Sequence, residues 1–149
     1  MTGLYETDFY EWTVEQSQFL ALGKLQGLDL ENLFEEIESL GKQQQQELEN
    51  RLAVLLGHLL KWDFQPDIRT RSWRATIKEQ RLRIQLLLKK SPSLKSYLVT
   101  AVEVGYYLGV VLVEKETPFD AKDLPAECPY AIAQIFDVNF PDGIQTYFN

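Results

Sequence analysis

The sequence has one cysteine, one histidine and one methionine in 149 residues, and these shortages exclude several kinds of site. A lone Cys128 cannot form an internal disulfide, which favours a reducing compartment such as the cytoplasm. With His58 as the sole histidine, the chain lacks the Glu-x-x-His pairs of di-iron bundles and any zinc-ligand spacing. It also lacks a Gly-x-Ser-x-Gly turn and a glycine-rich phosphate loop. The sequence therefore predicts no catalytic residue, metal or cofactor.

Basic residues are missing from the first 23 positions, so no signal or transit peptide is visible. The longest apolar run, Tyr97–Val113, contains Thr100 and Glu103 and is barely long enough to cross a bilayer. We therefore expect this run to be a buried helix, and we expect no membrane partner.

Composition is that of an ordinary globular protein, with 45% hydrophobic and 25% charged residues. The length suits one domain over residues 1–149 that buries its own core. No segment alternates with period two for long enough to form a strand. We predict an all-α helical bundle of four main helices and a short C-terminal helix, beginning with a helix from about Thr7 to the glycines at 23 and 27.

The clearest periodic signal predicts one long helix over residues 29–64, with Asp29 as its N-cap. Steps of three and four residues run from Leu30 through Leu40 to Gln44, and after one extra step of four the same spacing resumes from Leu48 to Trp62. Gly41 offers an alternative, since a glycine can end a helix and start a hairpin. We favour a continuous helix because residues 42–49 are strong helix formers without proline.

Two further long helices are predicted in the second half of the chain. Ser72 is the expected N-cap of a helix reaching residue 90, with an apolar stripe formed by Trp73, Ile77, Gln80, Ile84 and Leu87. Ser91 and Pro92 are expected to start the next helix, which ends before Thr117. Its glycines at 105 and 109 predict a close approach of another helix, and the short last helix is expected to open at Pro129.

Charge is unevenly distributed along the chain. Residues 61–95 hold ten basic and three acidic residues, a net of +7, against −14 for the rest and −7 for the whole. Five cations form a candidate basic surface: Arg69, Arg71, Arg74, Lys78 and Arg81. They could contact phosphates while Trp73 stacks on a base, or they could bond to the acidic residues of the long helix around a buried Trp73. A pI near 4.8 disfavours nucleic acid.

A second candidate is a polar cluster comprising Glu35, Glu36, Glu38, His58 and Arg71. In a continuous helix Glu38 and His58 would lie about 30 Å apart, at 1.5 Å per residue, too far to share a metal ion. A hairpin at Gly41 would bring the two halves together and permit a Glu–His site. Otherwise His58 is expected to be partly buried and bonded to a neighbouring carboxylate or carbonyl.

Several short strings, in this order and spacing, resemble the uncharacterised, largely cyanobacterial family called domain of unknown function 29. They include Asp8-Phe9-Tyr10-Glu11-Trp12, Leu30-Glu31-Asn32-Leu33, His58-Leu59-Leu60-Lys61-Trp62, Arg71-Ser72-Trp73 and Glu127-Cys128-Pro129-Tyr130. The resemblance extends from about Tyr5 to Phe140. It implies a helical bundle and supplies no established activity.

The leading functional hypothesis is a non-enzymatic protein–protein interaction or regulatory module, a partner or antitoxin-like protein that binds another protein or its own copy. It rests on the missing catalytic motifs and on charge segregation that suits a complementary surface. The alternatives are an enzyme or a ligand- or metal-binding protein that uses the Glu/His/Arg cluster, and a nucleic-acid-binding protein that uses the basic helix over residues 69–90.

Overall fold

The computed structural model describes residues 3–148, which contain six α-helices and no strand. The all-α prediction is confirmed, with four long helices and a short C-terminal one, and the short helix at Leu4–Thr7 is an element that the sequence analysis did not predict. Single turns of 3-10 helix occupy several of the connections between them. The helices are α1 (Leu4–Thr7), α2 (Phe9–Ala21), α3 (Leu30–Phe64), α4 (Arg71–Lys90), α5 (Leu98–Glu116) and α6 (Ile132–Phe136).

Helix α3 runs for 35 residues without a break at Gly41, which confirms the predicted long helix. Its start is held by Asp29, whose carboxylate accepts hydrogen bonds from the backbone and side-chain nitrogens of Asn32 at 3.4 and 2.7 Å. The helix ends just before Pro66, which has no N–H to donate. The hairpin on which the Glu–His alternative depended is therefore not formed.

Helix α4 starts slightly earlier than predicted. Thr70, not Ser72, is its N-cap: the Thr70 hydroxyl accepts a hydrogen bond from the Trp73 amide at 3.1 Å. Thr70 has the extended backbone that an N-cap needs, while Ser72 already lies inside the helix. Both residue types are good caps, so the sequence alone could not choose between them.

The ends of the last two helices also differ from the prediction. The Ser91 side chain makes no capping bond, and a 3-10 segment, Pro92–Tyr97, precedes α5. The short last helix begins at Ile132 instead of Pro129. The Tyr130 hydroxyl donates to the Asp63 carboxylate at 2.5 Å, and this bond holds the residues before α6 against the end of α3.

The chain divides into two compact units, Met1–Gln43 and Gln44–Asn149, which we call the N-terminal and C-terminal units. The N-terminal unit contains α1, α2 and the first part of α3 around a buried Trp12. The Trp12 indole donates to the Asp29 carboxylate at 3.1 Å, and the Gln16 side chain accepts from the Asp29 amide at 2.8 Å. These bonds join α2 to the start of α3. A single domain over 1–149 stays a prediction.

The C-terminal unit contains the main hydrophobic core. Glycines let α5 approach α3 closely: a Cβ atom on Gly105 would lie 2.8 Å from the Leu52 Cβ, and one on Gly109 would lie 2.9 Å from the Ala53 carbonyl oxygen. This confirms the close contact predicted from the two glycines. Seven apolar residues of α3 are fully buried, and we call the five that repeat every three or four positions the core seam: Leu48, Leu52, Leu55, Leu59 and Trp62.

Helix α5 shows both a buried and an exposed apolar face. Pro92–Glu116 is long and apolar enough to cross a membrane by length and composition, and 39% of its most apolar window is buried within the protein. Ala101, Gly105 and Val113 pack inward, whereas Val99 and Tyr107 are exposed. The absence of a membrane partner stays a prediction.

Candidate functional site

Four large apolar side chains on the first part of α3 are exposed, on the helix that also supplies the core seam. We call Leu30, Phe34, Ile37 and Leu40 the exposed stripe, and their exposed fractions lie between 58 and 70%. Spacings of three and four residues place them along one side of the helix. Scattered exposed leucines are common in proteins, whereas a contiguous row of large exposed apolar side chains is unusual, so this row is a candidate site.

Carboxylates flank the exposed stripe. Glu31, Glu35 and Glu38 follow it at helical spacing, and among the described residues only Glu38 of the three has an ion pair, with Lys42 at 3.5 Å. The whole N-terminal unit has nine acidic and two basic residues, a net of −7, so the remaining thirteen acidic and thirteen basic residues of the chain cancel. The entire formal charge of the protein therefore belongs to the unit that carries the exposed stripe.

A second surface feature is a cavity of about 380 Å³ in the C-terminal unit, which we call the basic groove. It lies between one side of α4 and the segment after α6. Four of the five residues of the predicted basic surface line it, together with apolar side chains and two amides. The lining residues are Arg71, Arg74, Ala75, Ile77, Lys78, Arg81, Leu82, Gln85, Val138, Ile144 and Gln145.

Arg81 is the most buried of the groove cations. Its guanidinium donates to the backbone carbonyls of Ile135 at 2.7 Å and Gln134 at 3.3 Å, so it joins α4 to α6. Burial lowers the pKa of Arg81 to about 10, while Asp137 acts in the opposite direction. Arg81 remains charged at neutral pH and also holds the groove wall in place.

The other groove cations have no internal counter-ion. Within residues 3–148, Arg71, Arg74 and Lys78 make no ion pair, and no residue lining the groove is acidic. The arginines therefore do not neutralise the carboxylates of α3 in the way that one interpretation of the sequence proposed. Their charge is available to an anion from solution.

Arg69, the fifth predicted cation, has a structural role. It donates to the Trp62 carbonyl at 2.8 Å, and its guanidinium stacks over the rings of Trp62 and Tyr147 at 4.8 and 5.4 Å. It is absent from the groove lining. Its contacts connect the end of α3 to the last residues of the described chain.

Trp73 is half-buried against the core instead of standing free beside the cations. The Lys61 ammonium lies 4.9 Å from the centre of its ring and 2.8 Å from the Glu116 carboxylate. That ion pair lowers the pKa of Glu116. Because one face of the indole is covered by Lys61, Trp73 is poorly placed to stack on a nucleobase.

Three of the five members of the predicted Glu/His/Arg cluster are bonded to residues outside the cluster. Glu36 accepts a hydrogen bond from the Tyr5 hydroxyl, Glu38 pairs with Lys42, and Glu35 is exposed. In the part of the chain that the structure describes, no hydrogen bond or ion pair joins any two of its five members. The cluster is Glu35, Glu36, Glu38, His58 and Arg71.

His58 has the environment expected of a structural histidine. Its Nδ1 atom lies 2.7 Å from the Val54 carbonyl oxygen, one turn earlier in α3, so Nδ1 carries the proton. Burial lowers the pKa of His58 below 6.5, which favours the neutral ring. Among residues 3–148, no group of three His, Cys, Asp or Glu side chains could hold a metal ion.

Sequence reasoning missed two parts of these surfaces. The sequence analysis treated the exposed stripe as the first half of a bundle seam and gave no sign that these side chains are exposed. It also missed Val138, Ile144 and Gln145, the far wall of the groove, because the residues around them have no helical period. The Gln145 side chain donates to the Val138 carbonyl at 2.5 Å, and this hydrogen bond links the two ends of the wall.

A family model described as "Domain of unknown function DUF29" matches residues 4–141, which is nearly the whole chain. No curated protein and no solved structure matches the chain. The family match spans α1 to α6, and so includes the exposed stripe, the core seam and most of the basic groove. The chain therefore belongs to the family of the domain of unknown function 29.

Proposed function

We propose that this protein is a non-enzymatic interaction module whose exposed stripe binds a cationic amphipathic helix of a partner protein. The observation that carries the proposal is the exposure of Leu30, Phe34, Ile37 and Leu40 along one side of α3. Each large side chain gains about 1.5 to 3 kcal/mol from full burial, so a partner that covers the row gains several kcal/mol. A second helix is a well-matched shape for such a row.

Charge supports a cationic partner. The stripe is edged by Glu31, Glu35 and Glu38 and belongs to a unit with a net charge of −7. Lysines or arginines that flank an apolar row would meet these carboxylates, which speeds association and aligns the two helices.

The same charge disfavours a second copy of the stripe as the partner. Packing two stripes together would bring two units of net −7 into contact and place like charges along the interface. A second copy of the chain is therefore the competing partner for this surface, and an experiment must distinguish it from a cationic helix.

The alternatives draw less support from the geometry. An enzyme based on the Glu/His/Arg cluster needs its groups near one another, and Glu36, Glu38 and His58 are bonded to residues outside the cluster. A nucleic-acid site on α4 needs cations along an open face and a free aromatic ring. Arg81 is buried, Arg69 stacks on Trp62, and Lys61 covers Trp73.

The test uses a cationic probe peptide of about 18 residues, with leucines at helical spacing and lysines elsewhere, long enough to cover three turns of α3. We expect saturable binding by titration calorimetry to the full chain. The double variant Phe34→Ser/Ile37→Ser should bind about 10- to 100-fold more weakly, because two apolar contacts are lost. Far-UV circular dichroism checks that its helices remain.

The matched control removes similar exposed apolar area elsewhere. Leu86→Ser/Val99→Ser alters two exposed side chains of the C-terminal unit and should bind the probe as the unmodified chain does. A scrambled peptide of identical composition and one with glutamate in place of lysine should bind poorly. Equal binding to both double variants would sink the proposal, and a dimer that Phe34→Ser/Ile37→Ser dissociates would assign the stripe to a second copy.

A further inference from the structure

We propose that the basic groove binds a small organic phosphate, that is, a phosphate group attached to an apolar or aromatic body. This site is separate from the exposed stripe and does not depend on the proposed interaction function. It is assigned from the cavity between α4 and the segment after α6, from its cations and from its apolar walls.

The cations set the charge of the ligand. Arg71, Arg74, Lys78 and Arg81 contribute four positive charges, and no lining side chain is acidic. Like charges so close together repel one another, and an anion that enters the groove relieves this repulsion. A phosphate monoester has a charge near −2 and three acceptor oxygens, and so it can accept several charge-assisted hydrogen bonds at once.

The apolar side chains that line the groove indicate that the ligand carries an apolar group beside its phosphate. Ile77, Leu82, Val138 and Ile144 line the same cavity as the cations. An inorganic ion would leave the exposed side chains of Leu82 and Val138 facing water, whereas an apolar body attached to the phosphate would cover them. The volume of about 380 Å³ suits a small molecule and falls in the range of known ligand pockets.

The groove is a preformed site on rigid elements. Ile77 and Arg81 are buried in α4, and Arg81 donates to two carbonyls at the end of α6. The Gln145 side chain bonds to the Val138 carbonyl and links the two ends of the opposite wall. A site whose walls are already tied together loses little conformational entropy when a ligand binds.

A polyanion is the competing ligand. A nucleic-acid strand would need cations spread along an open track, since its phosphates repeat along the chain. Here the cations that lack ion pairs, Arg71, Arg74 and Lys78, converge on one cavity of small-molecule size. This convergence favours a single phosphate group.

The experiment titrates phenyl phosphate into the full chain and follows ³¹P NMR and heat at low salt. Inorganic phosphate, uncharged benzyl alcohol and a ten-residue oligothymidylate are the other arms. We expect phenyl phosphate to bind at least about tenfold more tightly than inorganic phosphate or benzyl alcohol, because only it uses both the cations and the walls.

Double variants test whether phenyl phosphate binds in the basic groove. Arg74→Gln/Lys78→Gln removes two groove charges and should weaken phenyl phosphate binding by about tenfold or more. Lys89→Gln/Lys90→Gln removes two charges from the last turn of the same helix and should leave binding unchanged. Phe34→Ser/Ile37→Ser should also bind normally, so failure of this site and failure of the stripe are distinguishable.

Other outcomes overturn the proposal. One such outcome is no saturable binding of phenyl phosphate up to about 10 mM, a range that still detects very weak sites. Another is an equal loss of phenyl phosphate affinity in Arg74→Gln/Lys78→Gln and in Lys89→Gln/Lys90→Gln. Equal affinity for inorganic phosphate would remove the organic part of the assignment. Tighter binding of the oligothymidylate that Arg74→Gln/Lys78→Gln abolishes would assign the groove to nucleic acid instead.

Discussion

The two parts of α3 repeat the same apolar spacing and end in opposite environments. From Leu48 to Trp62 the row is fully buried, whereas Leu30, Phe34 and Ile37 are more than half exposed. A helical period therefore specifies that an apolar face exists, and the surrounding helices decide whether it is covered. This contrast is the basis of our proposal that a partner helix covers the exposed stripe.

The covered part is packed through specific close contacts. Gly105 and Gly109 of α5 bring its backbone against Leu52, Ala53 and Gly57 of α3, where even a methyl group would collide. Apart from its chain neighbours and the backbone of its own helix, no heavy atom of the described residues lies within 4 Å of the site where Gly41 would place a Cβ. Packing therefore requires a glycine at positions 105 and 109, whereas it leaves room for a larger residue at position 41.

The largest expected difference comes from truncating matched residues in the two parts. Leu55→Ala should lower the free energy of unfolding by about 2 to 5 kcal/mol, because it leaves a cavity in the core. Ile37→Ala should change it by less than about 0.5 kcal/mol, because the side chain is already exposed. Urea unfolding measures both free energies, and a similar loss of stability in the two variants would show that the two parts of α3 are equally buried.

Glycine substitutions should have effects of opposite sign. Gly109→Ala should destabilise the protein by about 1 to 3 kcal/mol, because the new methyl group meets the backbone of Ala53 and Gly57. Gly41→Ala should stabilise it by up to about 1 kcal/mol, because alanine is the better helix former and has open space there. Thermal unfolding of the two variants tests the signs, and a destabilising Gly41→Ala would show that the first part of α3 is also tightly packed.

A pH titration tests the burial of His58 in the second part of α3. Burial lowers its pKa below 6.5, with nearby Lys61 acting in the same direction and Glu116 against it. Above pH 6.5 both the folded and unfolded states are neutral at His58, so its contribution is fully present. As the pH falls below 6.5, the unfolded state binds the proton first and stability is lost until the folded pKa is reached.

The variant His58→Gln isolates this effect, since glutamine does not titrate and can still donate to the Val54 carbonyl. The free energy of unfolding of the unmodified chain should fall more between pH 7 and pH 5 than that of the variant, over the range where an unperturbed histidine titrates. Identical slopes for the two proteins would mean that His58 is solvated in the folded state.

Much of the fold could be predicted because helix periodicity is local. The spacing from Leu30 to Trp62 acts through neighbouring residues, and the continuous helix that it predicts is confirmed. The close approach of another helix, predicted from the small residues at 105 and 109, is also confirmed. Helix starts were less predictable. Thr70 and Ser72 are chemically similar caps two residues apart, and only the backbone geometry of Thr70 distinguishes them.

The surfaces could be predicted only in part, because they depend on which segments meet. The cations of α4 share one side of the helix by spacing alone, so four of the five predicted residues line the groove. Its opposite wall, with Val138 and Ile144, comes from a segment of turns whose path has no periodic signal. The exposure of Phe34 and Ile37 likewise depends on the absence of a covering helix, which no local pattern encodes.

Residue-resolved hydrogen exchange along α3, with and without the cationic probe peptide, tests the central claim most directly. Without peptide, amides between Leu48 and Trp62 should exchange only on global unfolding, and those between Leu30 and Leu40 should exchange faster because fewer buried contacts hold them. With peptide, the account predicts added protection between Leu30 and Leu40 alone. Uniform protection of α3 without peptide, and no change on its addition, would contradict it.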